Sequence, residues 1–196
     1  MKSRGQIFNY LSIFGIILLV GQTLSCQSYR DNQVEPDRLL NILGVEKGMK
    51  IGEAGAGSGY LTIYLAEKVG GTGHIYANDI DDSPLQTLKT KAAGRDLTNI
   101  TTVAGEQDDP LFPVNDLDMV VMLQAFHEFE NKVDWLKNAK KYLKPDGSLV
   151  ILDAWFDDGR TMTKEFIEET ADKAGYQFDS YDPYLRNVHI FVLKTK

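Results

Sequence analysis

Cysteine is almost absent from this sequence. Cys26 is the one cysteine among 196 residues, which excludes an internal disulfide framework and any zinc site built on cysteines. Histidine is also scarce, because the chain has only His74, His127 and His189, and none of them are spaced as metal ligands are. We therefore expect neither a disulfide scaffold nor a metal site.

The sequence also lacks a surplus of basic residues. Lysine and arginine number 21 against 28 aspartates and glutamates, so the formal charge is −7, and no basic cluster is visible. Nucleic acid is therefore not an expected partner, because phosphate contacts need a basic face. A chain of this length, 43% hydrophobic, is large enough for one globular domain but not comfortably for two.

Long apolar runs are missing except near the N-terminus. Residues 7–20 are apolar apart from Asn9, Tyr10 and Ser12. This run is short for a membrane span of about 20 residues and suits the core of a signal peptide. The "TLSC" that follows ends at Cys26 and looks like a bacterial lipoprotein signal, in which the cysteine is lipidated. An uncleaved membrane anchor and a plain cleaved signal are the alternatives.

These features predict three regions. Residues 1–26 are a signal peptide or membrane anchor, residues 27–34 are a polar tether, and residues 35–196 are the folded domain. Lys2 and Arg4 precede the apolar run, so the positive-inside rule puts the domain outside the cytoplasm. We predict a membrane-associated bacterial protein and leave the side of the membrane open.

Strands and helices alternate along the predicted domain. Apolar runs predict five strands, at residues 49–54, 74–80, 99–105, 116–123 and 148–155. Helical spacing and end signals predict helices at residues 37–43, 60–69, 83–94, 131–143 and 163–175, the third of them with Ser83 as N-cap. This alternation favours a parallel sheet covered on both faces, and residues 176–196 predict a final antiparallel strand pair.

The stretch "GEAGAGSGY" (residues 52–60) follows the first predicted strand. Lacking Cβ atoms, Gly55, Gly57 and Gly59 let the backbone approach a ligand closely, at the strand ends where α/β sheets bind ligands. A dinucleotide loop needs G-x-G-x-x-G, whereas a tyrosine stands where that third glycine would be. Glu53, ahead of the loop, repels pyrophosphate and favours a cationic ligand.

Five motifs resemble the class I S-adenosylmethionine-dependent methyltransferase family, namely "IGEAGAGSGY", "GHIYANDID", "NITTVAGEQDDP", "DLDMVVMLQAFHEF" and "LKPDGSLVILD". They occur in family order, and the resemblance extends from about residue 36 to the C-terminus. It implies an α/β fold, a Rossmann-like three-layer sandwich with a mostly parallel seven-stranded sheet and an antiparallel last strand. It also implies S-adenosylmethionine as the cofactor and an unidentified methyl acceptor, a small molecule or lipid.

The resemblance assigns cofactor contacts to the first two strands. Glu53 corresponds to the acid that interacts with the amino-acid end of the cofactor, and the glycines of the loop lie under its methionine and ribose. Asp79 corresponds to the acid that accepts hydrogen bonds from both ribose hydroxyls, a task that suits a bidentate carboxylate. Ile80 is expected to lie against the adenine.

Further contacts are assigned to the ends of the third and fourth strands. Glu106 corresponds to the acid near the adenine amino group, with Gln107 and Asp108 as alternatives, and Gln124 is expected beside the sulfonium. His127 follows the fourth strand, where a histidine is common in the family. It is the candidate catalytic base, since an imidazole can remove a proton from an acceptor hydroxyl, and a structural or capping role is the alternative.

Two positions depart from the family pattern. Gly52 stands where the family prefers an aliphatic residue, and a glycine within a strand weakens packing. Asn78 replaces an apolar residue that usually precedes the acid of the second strand. Neither change removes an expected cofactor contact.

Three functions follow as hypotheses. The first is a membrane-associated methyltransferase, and the second is a non-catalytic domain of the same fold, exported as a lipoprotein. The third is a nucleotide-dependent oxidoreductase, which the glycine pattern disfavours. Export conflicts with the first hypothesis, because S-adenosylmethionine is made in the cytoplasm.

Overall fold

A computed structural model describes residues 31, 34–153, 162–185 and 188–196. The chain divides into two compact units between Leu39 and Leu40, and the helix α1 (Pro36–Ile42) includes both of these residues. The sheet and the remaining helices belong to the second unit. The predicted signal peptide or anchor at residues 1–26 lies outside the described residues, and the domain boundary at residue 35 stays a prediction.

One mixed sheet forms the centre of the second unit. Its strand order is β3-β2-β1-β4-β5-β7-β6. The strands are β1 (Lys50–Ala54), β2 (His74–Asp79), β3 (Ile100–Ala104), β4 (Leu117–Leu123), β5 (Leu143–Asp153), β6 (Tyr176–Leu185) and β7 (Val188–Thr195). The first five pair in parallel. β4 is almost wholly buried, as expected for a central parallel strand covered on both faces.

Four helices pack on the two faces of this sheet. They are α2 (Tyr60–Val69), α3 (Asp82–Ala93), α4 (Lys132–Ala139) and α5 (Lys164–Lys173). A buried cluster joins α2 and α3 to β2, and a larger one joins α4 and α5 to β4, β5 and β7. The predicted α/β sandwich with helices on both faces is confirmed.

The C-terminal strands close the sheet in the antiparallel sense. β7 pairs antiparallel with β5, from Ser148 opposite Lys194 to Asp153 opposite His189, and β6 pairs antiparallel with β7. The predicted antiparallel last strand is therefore confirmed. β6 extends to Leu185.

Some element ends differ from the prediction. The N-cap of α3 is Asp81, whose side chain accepts a hydrogen bond from the backbone N–H of Ser83, so the prediction of Ser83 as the cap is wrong. Aspartate is at least as good a cap as serine, and the helix consequently begins earlier, at Asp82. β5 begins at Leu143, before the predicted start at residue 148, and is described to Asp153.

No helix among the described residues is long and apolar enough to span a membrane. The apolar run that carries the prediction of a membrane segment, residues 7–20, is outside those residues.

Candidate functional site

A cleft of about 470 Å³ lies at the carboxyl ends of the parallel strands. Its β1–β3 side consists of residues at or just after the ends of the first three strands, namely Gly55, Asn78, Asp79, Ile80, Glu106 and Gln107. Its β4–α4 side consists of residues between β4 and α4 and one residue of α4, namely Gln124, Ala125, Glu128, Phe129, Glu130 and Trp135. Open α/β sheets bind ligands at this edge, so the cleft is the candidate site.

Two glycines of the loop after β1 lie very close to side chains from other parts of the chain. A Cβ on Gly55 would lie 2.4 Å from the Cβ of Ala125, and one on Gly59 would lie 2.2 Å from Cδ1 of Leu88. Glycine at these two positions therefore allows Ala125, which follows β4, and Leu88 of α3 to lie this close to the loop. Gly55 lines the cleft, whereas Gly57 and Gly59 shape the loop without forming part of the described lining.

Asp79 ends β2 and lines the cleft, as predicted from its position in the sequence. Its Oδ2 accepts a hydrogen bond of 2.8 Å from the backbone N–H of Gly57, and its Oδ1 accepts one of 3.0 Å from the N–H of Asp81. Each carboxylate oxygen can accept more than one hydrogen bond. The next residue, Ile80, is a large apolar side chain that is 64% exposed and offers a flat ligand an apolar surface in the cleft.

Glu53 is placed differently from the other predicted residues. It is 2% exposed, and its Oε2 accepts a hydrogen bond of 2.5 Å from the hydroxyl of Thr62 in α2. It does not belong to the described lining of the cleft. Glu53 therefore does not face the cleft directly. Its predicted interaction with the amino-acid end of the cofactor stays a prediction.

The segment of residues 105–112, called here the 105–112 loop, follows β3. Glu106 and Gln107 both line the cleft, whereas Asp108 does not. The backbone N–H of Glu106 donates to the carbonyl of Asp109 at 2.8 Å. Of the three alternatives that the sequence left open, the structure thus brings two to the site.

Gln124 follows the last residue of β4 and also lines the cleft. Its φ angle is 52°, a left-handed conformation that is costly for a residue with a side chain. Its backbone N–H donates to the carbonyl of Leu152 in the neighbouring strand at 2.7 Å. Strained residues held by their surroundings occur preferentially at functional sites, and this one lies at the boundary between the two sides of the cleft.

His127 lies beside the cleft in a short 3-10 helix, Phe126–Glu128. Its Nδ1 is 2.9 Å from Oδ1 of Asp153, and its backbone N–H donates to Oδ2 of the same residue at 3.0 Å. Asp153 ends β5 and is fully buried. An ionised carboxylate only accepts hydrogen bonds, so Nδ1 carries the proton and Nε2 is the ring atom that can gain or lose one.

Two further side chains surround His127. Its Nε2 is 2.9 Å from Oε1 of Glu128, a favourable contact when Nε2 is protonated. Lys132 donates to the carbonyls of His127 at 3.2 Å and of Phe129 at 2.5 Å. Burial lowers the pKa of Lys132, while Asp153 and Glu128 act against this shift. The lysine thus fixes the backbone that carries the histidine.

Sequence reasoning did not single out Asp153, which holds His127, or several lining residues of the β4–α4 side, among them Trp135. Asp153 was the last polar residue of a predicted strand, and its position resembles that of Asp79 at the end of β2, which was the available signal. Trp135 lines the cleft and is only 2% exposed. The helical spacing of α4 indicates that this residue is buried, but it does not indicate that the residue faces the cleft.

The charge of the cleft is one-sided. Asp79, Glu106, Glu128 and Glu130 line it, and no lysine, arginine or histidine is part of its lining in the described portion of the chain. Such a surface favours a cationic ligand and disfavours a phosphate-bearing one. No group of three or more potential metal ligands is found among the described residues.

Known proteins resemble this chain in sequence and in structure. A family model described as "Methyltransferase domain" matches residues 45–185. Demethylmenaquinone methyltransferase of Staphylococcus aureus is 30% identical over 126 residues, which cover 64% of this chain and 52% of that protein. Ubiquinone/menaquinone biosynthesis C-methyltransferase UbiE of Shewanella oneidensis is 29% identical over 115 residues, 58% of this chain and 46% of that protein. The chain thus spans about half the length of these relatives.

A solved structure supports the same fold. The SAM-dependent methyltransferase from Aquifex aeolicus superimposes with a TM-score of 0.78 at 23% identity, over 84% of this chain and 91% of that one. An identity this low shows a shared fold.

Proposed function

The chain belongs to the methyltransferase domain family, and on this premise we propose that its cleft transfers a methyl group from S-adenosylmethionine to a hydroxyl-bearing aromatic acceptor. The observation that carries the proposal is Asp79. This acid ends β2, is held by the backbone N–H groups of Gly57 and Asp81, and lies beside the exposed Ile80 in the same cleft.

The residues present fit this cofactor. Asp79 would accept hydrogen bonds from the two ribose hydroxyls through lone pairs that the backbone amides leave available. Ile80 would offer apolar surface to the adenine, and Gly55 lets the loop approach Ala125 closely at the edge of the cleft. The four carboxylates of the lining stabilise a positive sulfonium, and the absence of a basic residue from the described lining argues against a dinucleotide.

His127 and Asp153 supply proton transfer. When bound, the cofactor supplies an electrophilic methyl carbon. Asp153 would hold the imidazole with Nδ1 protonated, so that Nε2 can take the proton of the acceptor hydroxyl. The acceptor would bond to the methyl carbon while the carbon–sulfur bond of the sulfonium breaks and leaves a neutral thioether. Glu128, whose side chain is 69% exposed, leaves Nε2 when the acceptor hydroxyl arrives. General base catalysis of this kind contributes about 10²- to 10⁴-fold.

The acceptor class rests on the β4–α4 side. Phe129 and Trp135 line the cleft and offer aromatic surface to a planar ring. The two relatives named above carry names that refer to menaquinone or ubiquinone biosynthesis. A quinol-type ring has hydroxyl groups and no obligatory negative charge, so it suits both the aromatic residues and the acidic lining. Quinols of this type are dissolved in membranes, which agrees with a membrane segment at residues 1–26.

A second candidate is a non-catalytic exported protein of the same fold. It is favoured by one observation, the apolar run of residues 7–20 followed by "TLSC" at Cys26. Mass spectrometry of the native N-terminus distinguishes the states of this segment. A diacylglyceryl group on Cys26 supports the lipoprotein, and an unmodified Met1 contradicts it.

Calorimetry on the full chain in detergent tests the main proposal. We expect S-adenosylmethionine and S-adenosylhomocysteine to bind and NAD not to bind. Asp79→Ala should weaken the binding of both nucleosides by at least about 100-fold, because it removes two hydrogen bonds to a charged group, each worth about 1.5–3 kcal/mol. Asp82→Ala is the matched control, since Asp82 is exposed and does not line the cleft. Binding of NAD alone, or of no ligand, would overturn the proposal.

A further inference from the structure

The two departures from the family pattern, Gly52 and Asn78, meet at the same segment. Gly52 is in β1 and Asn78 is in β2. Both lie against the 105–112 loop, which brings Glu106 and Gln107 into the cleft. Two departures that look unfavourable in the sequence therefore both affect how the 105–112 loop is held.

Gly52 makes room for the end of this loop. A Cβ on Gly52 would lie 2.7 Å from Cζ and 2.8 Å from Cε2 of Phe112, closer than atoms that are not bonded can approach. Phe112 is 4% exposed, and its ring contacts that of Tyr142 edge to face, with 5.6 Å between the ring centroids. The phenylalanine of the loop fills the space that an aliphatic side chain of β1 would otherwise occupy.

Asn78 holds the middle of the loop. Its side chain is buried, at 4% exposure, and its Nδ2 donates to the carbonyl of Pro110 at 2.9 Å. A longer contact of 3.4 Å reaches the carbonyl of Val103. Gly105 permits this arrangement, because a Cβ there would lie 2.1 Å from Nδ2 of Asn78. An apolar residue at position 78 could not donate to either carbonyl.

Asp109 fixes the outer part of the loop. Its Oδ1 accepts hydrogen bonds from the hydroxyl of Tyr142 at 2.6 Å and from the backbone N–H of Leu111 at 3.0 Å. Burial raises the pKa of Asp109, but these hydrogen bonds and Lys141 outweigh burial, so the pKa lies below its usual value. Burial and the bond to Asp109 raise the pKa of Tyr142 to about 12. Asp109 thus attaches the loop independently of Gly52 and Asn78.

We propose that Asn78 and Gly52 are positioning residues that fix the 105–112 loop and thereby set the preference of the site for an adenine amino group. The inference rests on the proposed function, because it takes the nucleoside to be the ligand. With the loop fixed, Glu106 and Gln107 line the cleft, where the side chain of either could accept a hydrogen bond from the adenine amino group. If the loop is released, the same side chains no longer present their acceptor atoms in one place.

The experiment compares two ligands by calorimetry on the full chain. They are S-adenosylhomocysteine and its inosine analogue, in which a carbonyl oxygen replaces the amino group. We expect the wild type to bind the adenine form at least about tenfold more tightly, the value of one hydrogen bond to a charged acceptor. In Asn78→Leu this ratio should fall to about threefold or less. With an acceptor present, KM for S-adenosylmethionine should rise.

A matched control separates positioning from general stability. Asn99 is also a buried asparagine, 7% exposed, whose Nδ2 donates to the carbonyls of Ala66 and Gly70, both at 2.9 Å. Asn99→Leu should lower stability but leave the ratio unchanged. If Asn78→Leu does not fold, Tyr142→Phe removes only the hydroxyl that holds Asp109 and should reduce the ratio in the same direction.

The outcomes distinguish a failure of the proposed function from a failure of the positioning role. A wild type that binds neither ligand overturns the proposed function itself. A wild type that binds both ligands equally, or an Asn78→Leu variant in which both affinities fall by the same factor, overturns the positioning role alone. A change of the ratio in Asn99→Leu as large as in Asn78→Leu also overturns it, because the effect would then follow stability.

Discussion

The two sides of the cleft are built in different ways. On the β1–β3 side, the lining residues lie at or just after the ends of strands, and two backbone N–H groups hold the carboxylate of Asp79. On the β4–α4 side, His127 depends on Asp153, a residue from another strand, and Trp135 enters from a helix. Residues at strand ends can be recognised in the sequence. Pairings between distant residues, such as His127 with Asp153, become visible only in the fold.

This difference predicts that the two sides can be damaged separately, and the largest expected effect is on catalysis. His127→Asn should lower kcat for methylation of a 1,4-naphthoquinol by about 10²- to 10⁴-fold, because it removes the proton acceptor. The Kd of S-adenosylhomocysteine should change by less than about threefold. Asparagine can still donate a hydrogen bond to Asp153, so the variant keeps that buried carboxylate paired. Steady-state kinetics and calorimetry measure the two quantities.

Two results would contradict this assignment of cofactor binding to one side of the cleft and proton transfer to the other. If His127→Asn abolishes binding of S-adenosylhomocysteine while Asp79→Ala does not, the assignment of the two sides is reversed. If kcat is unchanged, His127 has the structural role that the sequence left as the alternative.

A smaller effect is expected on stability, on the β1–β3 side. Gly52→Ala should lower the free energy of unfolding by about 1–3 kcal/mol, because its new methyl group overlaps the ring of Phe112. Adding Phe112→Leu should restore part of this loss by shortening the opposing side chain. Gly71→Ala is the control, since a Cβ there has no atom within 4 Å among its neighbours. Urea unfolding measures all three, and equal losses in Gly52→Ala and Gly71→Ala would contradict the packing account.

The smallest effect concerns pH. The pKa of Asp109 is lowered in the folded state, so its contribution to stability is present above its unfolded pKa of about 3.9 and is lost as pH falls through the lower folded value. The wild type should therefore lose more stability between pH 5 and pH 3 than Asp109→Asn does. Urea midpoints at the two pH values give this difference, and parallel losses would show that Asp109 does not hold the loop.

The sequence predicted much of the fold because the relevant signals are local. The apolar residues of α2 recur at helical spacing, and the glycines after β1 mark a strand end without reference to other parts of the chain. The cap of α3 was placed two residues late, because Asp81 and Ser83 are both good caps and local preference does not choose between them.

The roles of Gly52, Asn78 and Asp153 could not be predicted in this way. In the sequence, Gly52 and Asn78 were only unusual residues in strands, since the partner of each is far away along the chain, at Phe112 and Pro110. Asp153 is 26 positions from His127. The pairing of these residues is a property of sheet register and loop path, which a single sequence does not contain. The predicted roles of the cofactor residues stay predictions until a ligand is bound.

A crystal structure of the full chain with S-adenosylhomocysteine tests the central claim most directly. The account predicts that both ribose hydroxyls donate to Asp79, that the adenine lies on Ile80 and that its amino group faces Glu106 or Gln107. A ligand bound elsewhere, or an Asp79 carboxylate that does not contact the ribose, would contradict it.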